Sequence, residues 1–221
     1  MIEYNYRSVY NENKWKPHKL ELVQHNLPGK LICFEGVDGC GKTSLLNIVK
    51  ESLENRGITC YSTKSPTDIL RQMEYWDLFS NSLKEDRENI DPFGLSILAI
   101  GDRIIHQGRN IVPELEKGHW VLSDRYILNQ ILYQSPDIFA QLSRYIIKPD
   151  LGIIVDIDPE ISTSRIKSRD EIEREDDRNA KETLRNRYLI LGSMNGYKTL
   201  NSANLTLTQE KEKVMEWIEA F

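Results

Sequence analysis

The stretch Phe34-Glu35-Gly36-Val37-Asp38-Gly39-Cys40-Gly41-Lys42-Thr43-Ser44 leaves this chain few folds to choose from. Gly36, Gly41, Lys42 and Thr43 hold the fixed positions of G-x-x-x-x-G-K-[ST]. The apolar run Leu31-Ile32-Cys33-Phe34 before it reads as a buried strand, and Leu45, Leu46, Ile48 and Val49 after it recur at helical spacing. Glycines between a strand and a helix let consecutive backbone N–H groups point into one concavity, because no Cβ intervenes. The start of the helix adds partial positive charge. In such a loop Lys42 reaches β- and γ-phosphates and the Thr43 hydroxyl ligates Mg²⁺. Gly36, Val37, Asp38, Gly39, Cys40, Gly41, Lys42, Thr43 and Ser44 are therefore read as the cradle of a nucleoside triphosphate. The rival reading, a glycine-rich turn that binds nothing, is weakened by the strand and helix on either side.

A chain of 221 residues can bury a full core and is most simply one domain. Its net charge of −5 argues against a general nucleic-acid binder, so no nucleic acid polymer is expected as partner. No apolar run approaches ~20 residues, so no membrane span is expected. The segment Met1-Ile2-Glu3-Tyr4-Asn5-Tyr6-Arg7 lacks the apolar core of a signal peptide. Cys33, Cys40 and Cys60 show neither metal spacing nor an even disulfide framework, which points to a reducing, cytoplasmic setting. Cys33 and Cys60 fall in expected buried strands.

Residues 1–29 carry Tyr4, Tyr6, Tyr10, Trp15 and Pro17 without clear periodicity. They read as an N-terminal extension, either a surface arm packed by its aromatics or a contact for a partner. From residue 30 short strands alternate with helices. Strands are expected at 30–34, 58–63, 119–123, 151–156 and 197–201. Helices are expected at 43–55, from near Ile69, from 91 to about 117 with a kink near Pro113, through most of 127–147, and at 159–168, 180–191 and 209–221. The alternation gives an α/β fold over 30–221: a parallel five-stranded sheet covered on both faces by helices, with the phosphate loop after the first strand. The pattern does not set the strand order.

Beyond the loop, three constellations carry chemistry. Asp124-Arg125 closes a strand, where an aspartate can hold water on Mg²⁺ and an arginine can bridge donor and acceptor phosphates; a surface ion pair is the plainer reading. Arg103 shares a helical face with Ala99, His106 and Gln107, and a buried-facing arginine needs an anion. His106 has no partner at metal spacing and is taken as structural or pocket lining. Arg165, Arg169, Arg174 and Arg178 punctuate a run of mixed charge that reads as a solvated face, or as a mobile segment closing over a triphosphate.

With these pieces in order the chain resembles the thymidylate kinase family of nucleoside monophosphate kinases, over about residues 30–220. The loop is close to F-E-G-x-D-G-x-G-K-T, and Asp102-Arg103 matches the family's long-helix arginine. Gly118-His119-Trp120-Val121-Leu122-Ser123-Asp124-Arg125-Tyr126 resembles G-x-W-V-I-S-D-R-Y. Tyr133-Gln134, Lys148-Pro149-Asp150-Leu151 and Val155-Asp156-Ile157-Asp158-Pro159-Glu160 follow in the family's order. The resemblance implies the three-layer α/β fold of P-loop NTPases over 30–221, a parallel five-stranded sheet flanked by helices with a short Arg-rich lid at about 168–178. It also implies ATP and Mg²⁺ as cofactors, a nucleoside monophosphate (dTMP) as substrate, and a homodimer. Asp38 would contact the acceptor's 3′-hydroxyl, and Arg103 its base or phosphate. Asp124, with Thr43, would serve Mg²⁺, and Arg125 would grip the acceptor phosphate. Pro66 and Tyr133 would line the sugar and base site. Arg169 would lie against the donor adenine, and Arg174 would be the lid arginine. Some members carry that arginine in the phosphate loop, where this chain has Cys40.

The departures fall at the acceptor site. Ala99 stands where the family has a Phe that stacks on thymine, and Tyr126 or Phe93 are candidate replacements. Lys64, followed by Ser65, stands for the arginine of Arg-Glu-Pro-Gly. Asn129 and Gln130 replace the residues after the Asp-Arg-Tyr motif, and Arg174-Glu175 lacks the usual aromatic. The resemblance therefore implies transfer of a phosphoryl group from ATP to dTMP, in dTTP synthesis. A relative acting on another monophosphate and a non-catalytic nucleotide-binding protein are the alternatives.

Overall fold

The computed structural model describes residues 15–76, 92–132, 137–167 and 177–220. Tyr133, Arg169, Arg174 and most of the expected lid lie outside these residues.

Five strands form one sheet: β1 (Leu31–Glu35), β2 (Cys60–Lys64), β3 (Trp120–Asp124), β4 (Leu151–Asp156) and β5 (Lys198–Asn201). Every neighbouring pair is parallel, in the order β2-β3-β1-β4-β5. Parallel neighbours need crossovers, and helices supply them: α1 (Lys42–Glu54), α2 (Asp68–Arg71), α3 (Pro92–His106), α4 (Val112–Glu116), α5 (Leu128–Ile131), α6 (Asp137–Leu142), α7 (Pro159–Lys167), α8 (Asp177–Met194) and α9 (Leu207–Ile218). β1 and β4 are buried at every position, as strands covered on both faces must be, and their sequences are correspondingly apolar up to the last residue, Glu35 in one and Asp156 in the other. β2 lies at the sheet edge and is only partly covered, so Cys60 is half-buried and not the core residue expected from sequence.

Local chemistry explains several boundaries. Thr206 caps α9 reciprocally: its hydroxyl accepts from the Gln209 backbone N–H, and the Gln209 side chain accepts from the Thr206 N–H. α9 then buries Val214, Met215 and Ile218, the spacing expected of one helical face. The helix expected over 91–117 is interrupted earlier than Pro113 suggested. A π-helical turn over Gln107–Ile111 separates α3 from α4, and Pro113 sits in the first turn of α4. A proline has no N–H to give to residue 109 and its ring crowds that carbonyl, so the widened turn falls upstream of it. The turn aims the Gln107 side chain at its neighbours: Oε1 accepts from the Ile147 N–H at 2.8 Å, and Nε2 donates to the Tyr145 carbonyl at 3.1 Å. The helix expected through 127–147 is, among the described residues, α5, α6 and a 3₁₀ turn over Ser143–Tyr145.

The strand order places the site. The chain leaves β1 toward β2 and β3 on one side, then returns to β4 and β5 on the other. Beyond the carboxyl ends of the strands at such a reversal a crevice opens. The loop after β1 lies there, and register brings Asp124 level with both Phe34 and Lys64.

Candidate active site

Gly36, Gly39 and Gly41 have φ of 144°, 78° and 99°. These values suit glycine and turn the loop's N–H groups inward. At Gly36 a Cβ would also lie 2.5 Å from the Val155 carbonyl oxygen, so the loop can pass under β4 only without one. No side chain caps α1, which leaves the orphan donors of its first turn for a ligand. Lys42 is buried, and its Nζ donates to the Val37 carbonyl at 2.8 Å and to Cys40 Sγ at 3.6 Å. Burial raises the Cys40 thiol above its ordinary range, so Cys40 brings no negative charge into the cradle. Arg165, at the end of α7, reaches the Cys40 carbonyl at 3.5 Å. The Thr43 hydroxyl donates to Asp124 Oδ2 at 2.5 Å. A hydroxyl and a carboxylate side by side are hard oxygen donors suited to Mg²⁺, which binds through one or two such groups plus phosphate and water.

Across the loop, Arg125 Nη2 pairs with Asp38 Oδ1. Partial desolvation by the surrounding loop pushes the Asp38 carboxyl up, but its side chain is 74% exposed, and Arg125, Lys42 and Arg71 more than offset this and hold it below the usual carboxylate range. Arg125 has φ 65°, the left-handed region. Its backbone is held there by bonds from β1: the Arg125 N–H donates to the Phe34 carbonyl at 2.7 Å. The N–H groups of Tyr126 and Leu128 both donate to Glu35 Oε1, at 2.8 and 3.0 Å. Sequence reading assigned Glu35 no role, although it stood inside the quoted motif. It also missed Arg71, the last residue of α2. Arg71 Nε donates to the Pro66 carbonyl at 2.9 Å. Burial, then the like charge of Arg125, lowers its pKa, while Asp68, Asp124 and Asp38 oppose this. Two guanidiniums within each other's field are an arrangement that an anion would relieve. Only the fold of the loop after β2 brings Arg71 near Arg125.

The remaining acceptor-side candidates fall in two groups. Ala99 and Arg103 are buried one turn apart on α3. Arg103 stacks 4.6 Å from the Tyr126 ring centroid and its Nη2 donates to the Tyr126 carbonyl at 3.4 Å. Its Nε and Nη1 have no hydrogen-bond partner among the described residues, and neither does Oε1 of the buried Gln130. Gln130 Nε2 donates to Ser65 Oγ at 3.4 Å, beside the buried Pro66. The second group points elsewhere. Lys64 is exposed and pairs with Asp68 at 2.6 Å. Asn129 Oδ1 accepts from the Tyr188 hydroxyl at 3.1 Å. Tyr126 does not replace the stacking ring absent at Ala99: it is fully buried, lies against Arg103, and donates its hydroxyl to the Ile147 carbonyl at 3.0 Å. The Phe93 side chain lies outside what is described. His106 bonds Thr63 Oγ1 at 2.7 Å, and Asp102 accepts the Thr67 N–H at 2.9 Å, so α3 holds the loop after β2 in place.

The thymidylate kinase family model matches residues 34–214, which contain every element of this site. The chain belongs to the thymidylate kinase family. It is 30% identical over 179 residues to a probable thymidylate kinase of Pyrobaculum aerophilum, covering 78% of this chain and 88% of that protein. It is 31% identical over 197 residues to a probable thymidylate kinase of Archaeoglobus fulgidus, covering 86% and 95%. A thymidylate kinase of Legionella pneumophila is 29% identical over 216 residues, covering 89% and 97%. As a member of this family the chain is an enzyme, a nucleoside monophosphate kinase. No helix among its described residues is long and apolar enough to cross a membrane.

Glu35 gives the site a pH signature. Burial pushes its carboxyl from 4.5 up to about 7, against the pull of the Tyr126 N–H, Arg125 and Arg103. The folded state thus holds a proton that the unfolded chain releases between these values. Stability therefore falls as pH rises through that window, by on the order of 3 kcal/mol from this group. Glu35→Gln keeps an acceptor for both N–H groups and carries no charge. Thermal melts from pH 5 to 8 should show wild type losing more stability than Glu35→Gln as pH rises. Parallel curves for the two proteins would remove Glu35 as the titrating group.

Proposed function

We propose that this enzyme transfers the γ-phosphoryl group of Mg·ATP to dTMP, giving dTDP and ADP, in dTTP synthesis. One observation carries the reading: Asp38 pairs with Arg125 and feels the charges of Lys42 and Arg71, while Arg71 also feels Asp124, the partner of Thr43, so all these groups converge after β1 and β3. A donor triphosphate in the loop and an acceptor phosphate held by the guanidiniums would meet there. An acceptor phosphate oxygen is ionised and nucleophilic at neutral pH, so attack on the γ-phosphorus with loss of ADP needs no covalent enzyme intermediate. The protein's part is positioning and charge neutralisation. The loop N–H groups and Lys42 hold the donor, and Arg125 and Arg71 hold the acceptor phosphate. From the family resemblance, Asp38 would contact the acceptor's 3′-hydroxyl. Thr43 and Asp124 would hold Mg²⁺, which when bound supplies charge neutralisation to the donor phosphates. From the family resemblance, Arg174 is assigned to the transferring group, Arg169 to the donor adenine and Tyr133 to the acceptor sugar.

A second reading rests on Ala99. Without the Phe of the family motif, and with Tyr126 committed to Arg103, the base site has lost a ring. Base–aromatic stacking contributes about 1–3 kcal/mol. A larger or modified base would use the space. ADP release with Mg·ATP against a panel of deoxynucleoside and ribonucleoside monophosphates separates the readings. Preferred turnover of dTMP is expected. Preference for another monophosphate would move the acceptor and keep the kinase, and no turnover despite ATP binding would favour a binding protein.

Arg71→Ala should raise the KM for the monophosphate at least about tenfold, the value of a charge-assisted hydrogen bond, and leave the KM for ATP within about twofold. An unchanged monophosphate KM would exclude Arg71 from the acceptor site. A homodimer is proposed through the outer face of α3, where Leu98 and Ile105 are 43% and 62% exposed beside a cleft of about 330 Å³ lined by Tyr61, Ile69 and Arg109. Light scattering of the eluted protein should give twice the 25.8 kDa chain mass, and a monomer at working concentration would contradict the proposal.

A further inference from the structure

The segment before β1 lies outside the residues matched by the family model, and the mechanism above makes no use of it. It is nevertheless fixed to the domain at several points. Asn195, at the end of α8, grips it with both ends of its amide: Nδ2 donates to the His18 carbonyl at 3.2 Å and Oδ1 accepts from the Leu20 N–H at 2.7 Å. The Glu21 N–H donates to Ser143 Oγ at 2.8 Å, and Val23 forms an isolated bridge with Ile147. These anchors deliver Trp15 to the far end of α5. The Trp15 indole N–H donates to the Ile131 carbonyl at 3.1 Å. Its ring lies 4.9 Å from the Arg187 guanidinium, and Arg187 Nη1 donates to the Leu132 carbonyl at 2.7 Å.

α5 has four residues, too few to be stable alone. Its terminal carbonyls need donors, and a cation at that end also suits its dipole. Trp15 and Arg187 supply both. Next to Arg187, Tyr188 holds Asn129 of α5 from the same side. The helix so fixed carries Gln130, whose amide meets Ser65 on the acceptor side and whose Oε1 is buried without a partner among the described residues.

We propose that the N-terminal arm is a working part of the acceptor site: Trp15, acting with Arg187, caps α5 and so positions Gln130 against the acceptor nucleotide. Trp15 and Arg187 are positioning residues here; neither touches the reacting atoms. The inference rests on the reading that α5 faces the acceptor.

The test is steady-state kinetics of the full chain with dTMP, or with whichever monophosphate wild type prefers. Trp15→Ala and Arg187→Ala should each raise the acceptor KM about tenfold, the value of one hydrogen bond from Gln130 to the nucleotide, with kcat and the KM for ATP within about twofold. The double variant should be no worse than the weaker single one, because the two side chains act as a unit. Trp15→Phe keeps the ring over Arg187 and loses only the indole N–H, so it should raise the KM by about threefold. Where an alanine variant does not fold, Trp15→Phe decides, and a wild-type KM in that variant overturns the proposal. Equal changes in both substrates' KM would also overturn it, since a general loosening would act that way. A wild type that turns over no monophosphate overturns the functional reading itself. Active wild type with unaltered variants overturns only the role of the arm.

Discussion

One buried carboxylate, at the carboxyl end of the central strand, fixes the geometry on which the cleft depends. Glu35 Oε1 accepts from Tyr126 and Leu128, and the Phe34 carbonyl accepts from Arg125. These bonds tie the turn after β3 to the end of β1. Left-handed backbone at a residue other than glycine costs about 1–2 kcal/mol, so Arg125 holds φ 65° only because its neighbours bind it there. With the turn so held, Asp124 faces Thr43 and Arg125 faces Asp38. A free turn would let both pairs drift. The same burial that makes the anchor rigid makes Glu35 reluctant to ionise.

The two halves of the cleft are built by different means. The donor half is largely backbone: three glycines at positive φ, an uncapped helix start and one lysine folded across them. The acceptor half is built from side chains that arrive from α2, α3, β3 and α5, and it needs long-range ties to bring them together. Asp102 holds the Thr67 N–H, His106 holds Thr63, and Ser65 meets Gln130. Of the departures from the family pattern, Ala99 and Gln130 are buried in this second half, whereas Lys64 is exposed and Asn129 is bound to Tyr188.

The sequence was most legible where the physics is local. β4 was expected at 151–156 and forms there, because a parallel strand covered on both faces reads as a near-continuous apolar run, here Leu151 to Val155. The phosphate loop announced itself through glycine spacing, and the class of fold through the alternation of strands and helices. Legibility failed where a neighbour decides. Cys60 looked like core but lies on an edge strand, and whether a strand is an edge depends on the sheet order. Tyr126 was a candidate for the missing base-stacking ring, yet Arg103 from another element covers it. Arg71 lies in a stretch with no strong pattern, and nothing local says that its loop turns back toward Arg125.

The sequence by itself determined a glycine-rich phosphate-loop motif between a strand and a helix, a parallel sheet covered on both faces, and the ordered motifs that place the chain in its family. These follow from glycine spacing, periodicity and residue chemistry over short stretches. Only the tertiary structure decided the strand order, the anchoring role of Glu35, the pairing of Asp38 with Arg125 and the contact of Trp15 with Arg187. Those partners lie tens to more than a hundred residues apart along the chain. They meet because burying the two faces of one sheet leaves a single compact arrangement, and no local pattern encodes which distant side chains that arrangement brings together.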